Sequence, residues 1–189
     1  MFGSNLSMQL VPSQCHKRNL RAILKTGSWR TLSKAIRERD GVCVHCGGKA
    51  EHCHEKWEWV VSEGKLIQRL IGLEAVCVEC HDFMHFGRLA TMGERGVERQ
   101  HVVLDHVLKV LSCDADWLMT YVGQCFGAHQ SLSSFPIQEN MDLKWICDLP
   151  AGLLGMHIND WMPIWDEIED YLCGDEDEYH KEKNAGIPD

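Results

Sequence analysis

The sequence predicts an α+β protein in which a β-hairpin and a short helix form a cysteine-rich module between helical segments. Two Cys-x-x-Cys pairs, at positions 43–46 and 77–80, flank a stretch rich in aromatic and β-branched residues, which favour strands. Before and after the module, apolar residues recur at the three- and four-residue spacing of helices that bury one face. The predicted segments are an N-terminal helical arm (1–40), the module (41–112), a mostly helical acidic extension (113–173) and a disordered acidic tail (174–189).

The arm carries the first helical pattern. Residues 19–24 and 28–39 are predicted to be helical, and the second helix has an apolar face formed by Trp29, Leu32, Ala35 and Ile36. Ser28 is the expected N-cap, and Asp40-Gly41 is the expected end of this helix.

The module is predicted to contain a hairpin followed by a helix. Residues 51–61 and 66–76 have the composition of two strands, and the intervening sequence "SEGK" contains the glycine of a reversal. A helix is expected from residue 80 to about residue 86. The segment after Gly96 predicts a longer helix whose apolar stripe consists of Val102, Val103, His106, Val107, Val110 and Leu111.

The acidic extension predicts two more helices and one strand. Asp114 or Asp116 can cap a helix, and residues 127–141 have the composition of a polar connection. Residues 143–150 alternate like a short strand, and residues 160–172 show the apolar spacing of a last helix. We expect the stripe on that last helix to pack in the core or against a partner.

Bulk composition restricts the class of protein. The chain has 189 residues, of which 44% are hydrophobic and 25% charged, and this is ordinary for a globular domain. No apolar run reaches the roughly 18–20 residues of a membrane helix, and the first ten residues lack the pattern of a signal peptide. We therefore expect a cytoplasmic protein with no membrane partner, in which the ten cysteines serve metal binding and packing instead of disulfides.

The net charge of −9 is unevenly distributed. Residues 1–112 hold 16 basic and 12 acidic side chains, whereas residues 113–189 hold 3 and 16. The basic front favours nucleic acid, DNA or RNA, as a partner. The residues expected to contact phosphate are Lys17, Arg18, Arg21 and Arg37. The acidic half suggests a basic protein partner, although an acidic tail can also serve solubility alone.

Cys43, Cys46, Cys77 and Cys80 have the spacing of a zinc site with four thiolate ligands. A Cys-x-x-Cys turn supplies two ligands of a tetrahedral Zn²⁺ site from one tight loop. The thirty residues between the pairs are enough for a hairpin that returns to a helix start, which is the order of a treble clef. Reduced free cysteines and a different set of ligands remain the alternatives to this structural zinc.

Three histidines remain for a second site. His81 and His85 share one face of the predicted helix, while Cys80 points about 100° away from His81. His54 lies on the first strand, on the same face as His52. In a treble clef the start of the hairpin meets the helix, so we expect His54 to approach His81 and His85. The alternative is a purely structural role, in which these histidines only pack and form hydrogen bonds inside a zinc module.

The stretches "VPSQCHKRNLRAIL", "CHEKWEW" and "QRLIGLEAVCVECHDFMHFG" resemble a group of bacterial and phage proteins of the HNH, or ββα-metal, nuclease type. The resemblance covers about residues 11–112. It implies a metal-dependent DNA endonuclease of bacterial, phage or mobile-element origin. In the logic of the motif, His54 is the general base that activates water, while His81 and His85 hold a divalent ion (Mg²⁺, Mn²⁺, Ni²⁺ or Zn²⁺).

The chain departs from the motif at two positions. Gly72 stands where the motif has its middle asparagine, and Cys53 stands where many members carry a metal-binding Asp or His. Glu55 is a candidate carboxylate for orienting a histidine. These departures and the acidic half favour a second hypothesis: a non-catalytic zinc module that binds a protein or nucleic acid, for example a phage inhibitor whose acidic extension imitates DNA.

Overall fold

The computed structural model describes residues 5–173, and the predicted tail at 174–189 lies outside the described residues. The described chain is α+β, as predicted, with eight α-helices and one two-stranded antiparallel sheet. In chain order the elements are α1 (Leu20–Ile23), α2 (Thr26–Asp40), β1 (His52–Ser62), β2 (Lys65–Val76), α3 (Val78–Met84), α4 (Phe86–Leu89), α5 (Glu94–Leu111), α6 (Ala115–Leu132), α7 (Lys144–Cys147) and α8 (Ile158–Cys173). Within residues 5–173 no helix is long and apolar enough to cross a membrane.

The hairpin forms close to the predicted positions. Its register runs from His52 opposite Val76 to Ser62 opposite Lys65. The connecting residues Glu63 and Gly64 both have positive φ, 50° and 76°, which matches the right-handed twist of a two-residue hairpin turn. The register shifts between Lys56 and Trp57, so β2 carries one extra residue and bends there.

The arm folds as two helices, with a cap that differs from the prediction. Asn19 caps α1, because its side chain accepts a hydrogen bond from Ala22 N at 2.8 Å. The predicted N-cap Ser28 is wrong, since α2 begins at Thr26 and the Ser28 hydroxyl instead donates to Glu167 on α8. Gly41 ends α2 with φ of 71°, as predicted from Asp40-Gly41.

The extension differs from the prediction in two places. Residues 143–150 contain the helix α7 instead of a strand, because Leu143 and Ile146 are both buried and their three-residue spacing suits a helical turn. The predicted polar connection at 127–141 is partly helical, because α6 continues to Leu132. Asp114 caps α6 by accepting from Trp117 N at 2.7 Å.

The buried apolar residues form two hydrophobic clusters. One joins the arm, the hairpin and the extension, since it contains Leu32 of α2, Trp57 of β1, Leu70 of β2 and Ile164 of α8. The other packs α3 against α5 and α6. The buried stripe of α8 confirms that its apolar face belongs to the core. The arm and the extension are thus held on the module by shared packing.

We expect Leu154→Ala to lower the free energy of unfolding by about 2–5 kcal/mol, because Leu154 is fully buried between α2 and α8 and the substitution leaves a cavity. The neighbouring Leu153 is 62% exposed, so Leu153→Ala is a matched control that should change stability by about 0.5 kcal/mol or less. Urea denaturation measures both. Equal stability of the two variants would show that the extension does not share the core.

Candidate metal centres

The four cysteines of the predicted zinc site form one cluster. Their sulfur atoms all lie within 4.8 Å of one another, and the Cys46 and Cys77 sulfurs are 3.6 Å apart. Zinc–sulfur bonds of about 2.3 Å in a tetrahedron give sulfur separations of roughly 3.8 Å. Cys77 also caps α3, with its sulfur accepting from Cys80 N at 3.4 Å. The cluster can therefore hold a metal ion such as zinc.

The cluster also favours a thiolate, which is the form that binds metal. Hydrogen bonds from the Cys77 and Cys80 thiols hold the pKa of Cys43 well below its ordinary value. The hydrogen bond that the Cys77 thiol makes to Cys43 raises the pKa of Cys77 to about 12. The first proton is thus lost from Cys43, whose sulfur accepts hydrogen bonds from two neighbouring thiols.

His106 of α5 is a further member of this centre that the sequence analysis did not identify. Its Nε2 lies 3.3 Å from the Cys80 sulfur and 3.9 Å from the Cys77 sulfur. A ring N–H beside a thiolate stabilises the negative charge and helps to orient the ligand. The signal in the sequence is a histidine inside an otherwise apolar helical stripe, a position that needs a buried polar partner.

The three predicted histidines lie together on the other side of α3. His54 comes from β1, and His81 and His85 come from α3 and the residue that ends it. The ring centroids are 5.5 Å (His54–His81), 5.0 Å (His54–His85) and 4.8 Å (His81–His85) apart. One nitrogen from each ring lies within 4.8 Å of the other two, so the group can hold a metal ion. His52 stacks on His81 at 4.8 Å from the solvent side.

Gln9 determines which nitrogen of His54 keeps a free lone pair. His54 Nε2 lies 3.2 Å from Gln9 Oε1, an atom that only accepts, so Nε2 carries the proton. The same oxygen accepts from Trp57 N at 3.5 Å, which holds the amide in this orientation. His54 Nδ1 is buried and has no hydrogen-bond partner among the described residues. Its lone pair is available to a metal ion or to a water molecule.

The three histidines are neutral at physiological pH. Burial, together with the neighbouring histidines, lowers the pKa of His54 well below its ordinary value. Burial is also the main cause that lowers the pKa of His81 to about 3 and that of His85 to about 4. Neutral imidazole is the form that coordinates metal. The group is therefore ready to bind an ion without first releasing protons.

A buried ionic network connects the two centres. Glu74 lies opposite His54 in the hairpin and is bonded to His45 Nε2 at 2.9 Å and to Lys56 Nζ at 3.2 Å. His45 lies between Cys43 and Cys46 in the first cysteine turn. Its bond to Glu74 therefore joins this turn to β2, at the position that pairs with His54. Both members of the His45–Glu74 pair are buried, and this makes their mutual hydrogen bond structurally important.

Lys56 occupies the space beside Gly72, the position of the missing asparagine. The two residues are paired across the hairpin, and a Cβ built on Gly72 would lie 3.3 Å from Lys56 Cδ. A side chain at position 72 would therefore require Lys56, which also contacts Glu74, to shift slightly. In this chain the lysine and Glu74 fill the sheet surface beside His54.

Two other residues near His54 take structural roles. Glu55, on the opposite face of β1, accepts from Leu20 N at 3.0 Å and from Trp57 Nε1 at 3.1 Å. Burial raises the pKa of this carboxyl to about 7. Glu55 thereby fastens the start of α1 to the hairpin. Burial likewise raises the pKa of Cys53 to about 12, so this residue remains a protonated thiol.

The histidines open into a cleft of about 740 Å³. Its walls come from residues 9–21, α2, the two strands, the α3–α4 region and α6. All four of the predicted phosphate-binding residues line it: Lys17, Arg18, Arg21 and Arg37. Arg88 adds a fifth cation, whereas the acidic lining residues are Glu51 and Glu55. The structure thus brings the predicted basic residues and the three histidines to one cavity.

Not all of these cations are equally free to bind a ligand. Lys17 and Arg21 are exposed. Arg18 donates to the backbone oxygens of Gln138 and Glu139, so it also connects the arm to the extension. Arg37 donates to Glu51 O at 3.1 Å.

Comparison of this chain with family models, with curated proteins and with solved structures found no match.

We expect acid to destabilise the protein when its histidine site carries no metal. The folded-state pKa of His85 is about 4, below the ordinary value of 6.5, so below pH 6.5 the unfolded chain binds a proton that the folded chain excludes. Stability is therefore lost as the pH falls from 6.5 toward 4. The loss due to His85 should be on the order of 1–2 kcal/mol at pH 5.

Urea denaturation at pH 7.5 and pH 5 measures this loss, with the pH values chosen to bracket about 6.5. His85→Gln removes the titrating group and should reduce the difference between the two conditions. His101→Gln changes an exposed histidine on α5 and is the control. The same pH dependence in wild type and His85→Gln would contradict the assigned environment of His85.

Proposed function

We propose that this chain is a metal-dependent nuclease of the HNH type that cleaves phosphodiester bonds, with DNA as the expected substrate. The observation that carries the proposal is the meeting of His54, His81 and His85 in a cleft that is also lined by Lys17, Arg18, Arg21 and Arg37. Metal ligands and cations in one cavity suit a phosphate ester, because both stabilise the charge that builds on phosphate during cleavage.

The donor atoms favour a transition metal. Imidazole nitrogens suit zinc, nickel and similar ions better than they suit the hard Mg²⁺ ion. Three protein ligands with an open fourth position are also common at catalytic zinc sites. A bound ion would polarise the phosphate and lower the pKa of a water molecule.

His54 has two candidate roles in this proposal. With Nε2 held by Gln9, the buried Nδ1 can remove a proton from water, as the motif suggests. His54 can instead be a third metal ligand, since its ring belongs to the same group as His81 and His85. Metal dependence separates the two roles, because extra metal compensates for a lost ligand and not for a lost base.

Gln9 supports a catalytic role for His54 despite the glycine at position 72. A middle asparagine would help to position the histidine, and Gln9 provides a hydrogen bond from another segment of the chain. Positioning groups matter because small misplacements of a catalytic group reduce the rate strongly. The contact of Lys56 with Gly72, on the other hand, favours the second candidate, a non-catalytic zinc module that binds nucleic acid or protein.

The four cysteines are proposed to hold a structural zinc in a treble-clef arrangement. The order of a cysteine turn, a hairpin and a helix that begins at the second pair supports this topology. All four positions of a tetrahedral ion would be filled by sulfur, so this metal would stabilise the fold without taking part in the chemistry.

We expect freshly purified protein to contain one tightly held zinc ion per cysteine cluster. Cys80→Ser should lose this zinc and lower the melting temperature, because metal binding and folding are coupled in small zinc folds. Cys173→Ser, at an exposed cysteine outside the cluster, is the control and should keep the metal. Elemental analysis that finds no zinc in the wild-type protein would contradict the assignment.

We expect His54→Ala to slow DNA cleavage by about a hundredfold or more, the usual contribution of a general base. His81→Ala should also lose activity, and added metal should restore part of it. The assay offers plasmid, linear and single-stranded DNA and RNA with magnesium, manganese, nickel or zinc. His101→Ala, on the exposed side of α5, should behave like wild type.

Partial rescue of His54→Ala by metal would identify His54 as a ligand, whereas failure of rescue would identify it as the base. If wild type is as inactive as His54→Ala on every substrate and with every metal, the nuclease proposal is wrong. The non-catalytic zinc module would then be the better description.

A further inference from the structure

We infer that the cleft binds single-stranded nucleic acid, with unpaired bases stacking on Trp29 and Phe126 while the phosphates contact the basic residues of the arm. This inference rests on the proposed function and specifies its substrate. The cleft combines three features that a single strand requires, namely aromatic faces, cations and enclosing walls.

Aromatic side chains line the cleft from two different elements. Trp29 of α2 is half-buried against the core, and Phe126 of α6 is 41% exposed. Phe126 lies near the histidine site, since a Cβ built on Gly87 would be 3.9 Å from its Cε1 atom. Gly87 follows His85 by two residues. The exposed part of an aromatic ring is unfavourably hydrated. A base stacked on the ring would remove this apolar surface from water.

The cations lie along the same cleft. Lys17, with its backbone in the left-handed region at φ of 68°, and Arg21 are both exposed, and Arg37 and Arg88 line the cavity on other elements. Cations that follow a groove interleaved with aromatic rings are the pattern that proteins use to hold a strand without reading its sequence. Attraction between these cations and the phosphates of the strand would supply affinity. The aromatic rings would select for strands whose base faces are exposed.

One wall is a strap, residues 8–14, that is fastened to α6. Met8 N donates to the Tyr121 hydroxyl at 3.1 Å, and the Gln14 side chain donates to the backbone oxygens of Leu132 and Phe135 at 2.9 and 2.8 Å. His129 Nε2 lies 3.1 Å from Val11 O. The strap and α6 together form the part of the cleft wall that contains Phe126.

These walls and rings discriminate against a duplex. The bases of a double helix are stacked on one another and show only their edges in the grooves, so their faces cannot reach Trp29 or Phe126. A single strand presents the face of every base and can follow the cleft between the strap and the helices. Single-stranded DNA and single-stranded RNA share this chemistry.

Fluorescence anisotropy tests the inference with one labelled oligonucleotide sequence, offered as single-stranded DNA, as single-stranded RNA and as blunt duplex DNA. The buffer contains no added divalent ion, and a gel checks that the probes stay intact. The variants are Phe126→Leu, which keeps apolar bulk but removes the ring, and Phe126→Tyr, which keeps the ring. Trp117→Leu is the control, since Trp117 is a 50% exposed aromatic residue of α6 outside the cleft.

The expected result is that at least one single strand binds about tenfold or more tightly than the duplex. Phe126→Leu should weaken single-strand binding by about tenfold, the effect of one lost stack, while Phe126→Tyr and Trp117→Leu should bind like wild type. Duplex bound as tightly as the better-bound of the two single strands, or no effect of Phe126→Leu, would overturn the inference and leave the proposed nuclease standing. Absence of binding to every probe would overturn both.

Discussion

The fold depends on a single short helix that contributes residues to two side-chain clusters, each able to hold a metal ion. Cys77 and Cys80 lie at the start of α3, and His81 and His85 lie along its length. Because successive residues of a helix are separated by about 100°, Cys80 can face the sulfur cluster while His81 faces the cleft. A shift of the α3 backbone at one cluster would therefore also move the residues of the other.

The surroundings of α3 keep it in position. Arg99 of α5 donates to Asp82 at 2.7 Å and to Glu79 at 3.2 Å, and Arg88 donates to the same Asp82 at 3.2 Å. On the other side, the His45–Glu74 pair fixes the first cysteine turn to the hairpin. Partly buried charges that satisfy one another resist rearrangement, since breaking one pair leaves the other charge uncompensated. The two centres thus sit in a frame of ionic contacts and buried apolar residues.

Much of this arrangement could be predicted from local patterns, and the rest depends on distant contacts. The Cys-x-x-Cys pairs, the alternation of the strands and the i, i+4 spacing of His81 and His85 are local signals, and each predicted feature is present. The helix α7 was missed because "LKWIC" fits both an alternating strand and a helical turn, and only the burial of Leu143 and Ile146 decides between them. Gln9 was missed because its partner, His54, is 45 residues away and no local pattern indicates the contact.

The strap has a consequence for the synthesis of the protein. Its hydrogen bonds to α6 and to the turn after α6 join residues that are 113 to 121 positions apart in the chain, from Met8–Tyr121 to Gln14–Phe135. Gln9 lies within the strap, so the residue that orients His54 belongs to a segment whose two ends, Met8 and Gln14, are held by partners that a ribosome adds much later. Contacts of such long range form late in folding. A nascent chain therefore displays its cysteine turns, hairpin and α3 before α6 has emerged to complete the wall of the histidine cleft.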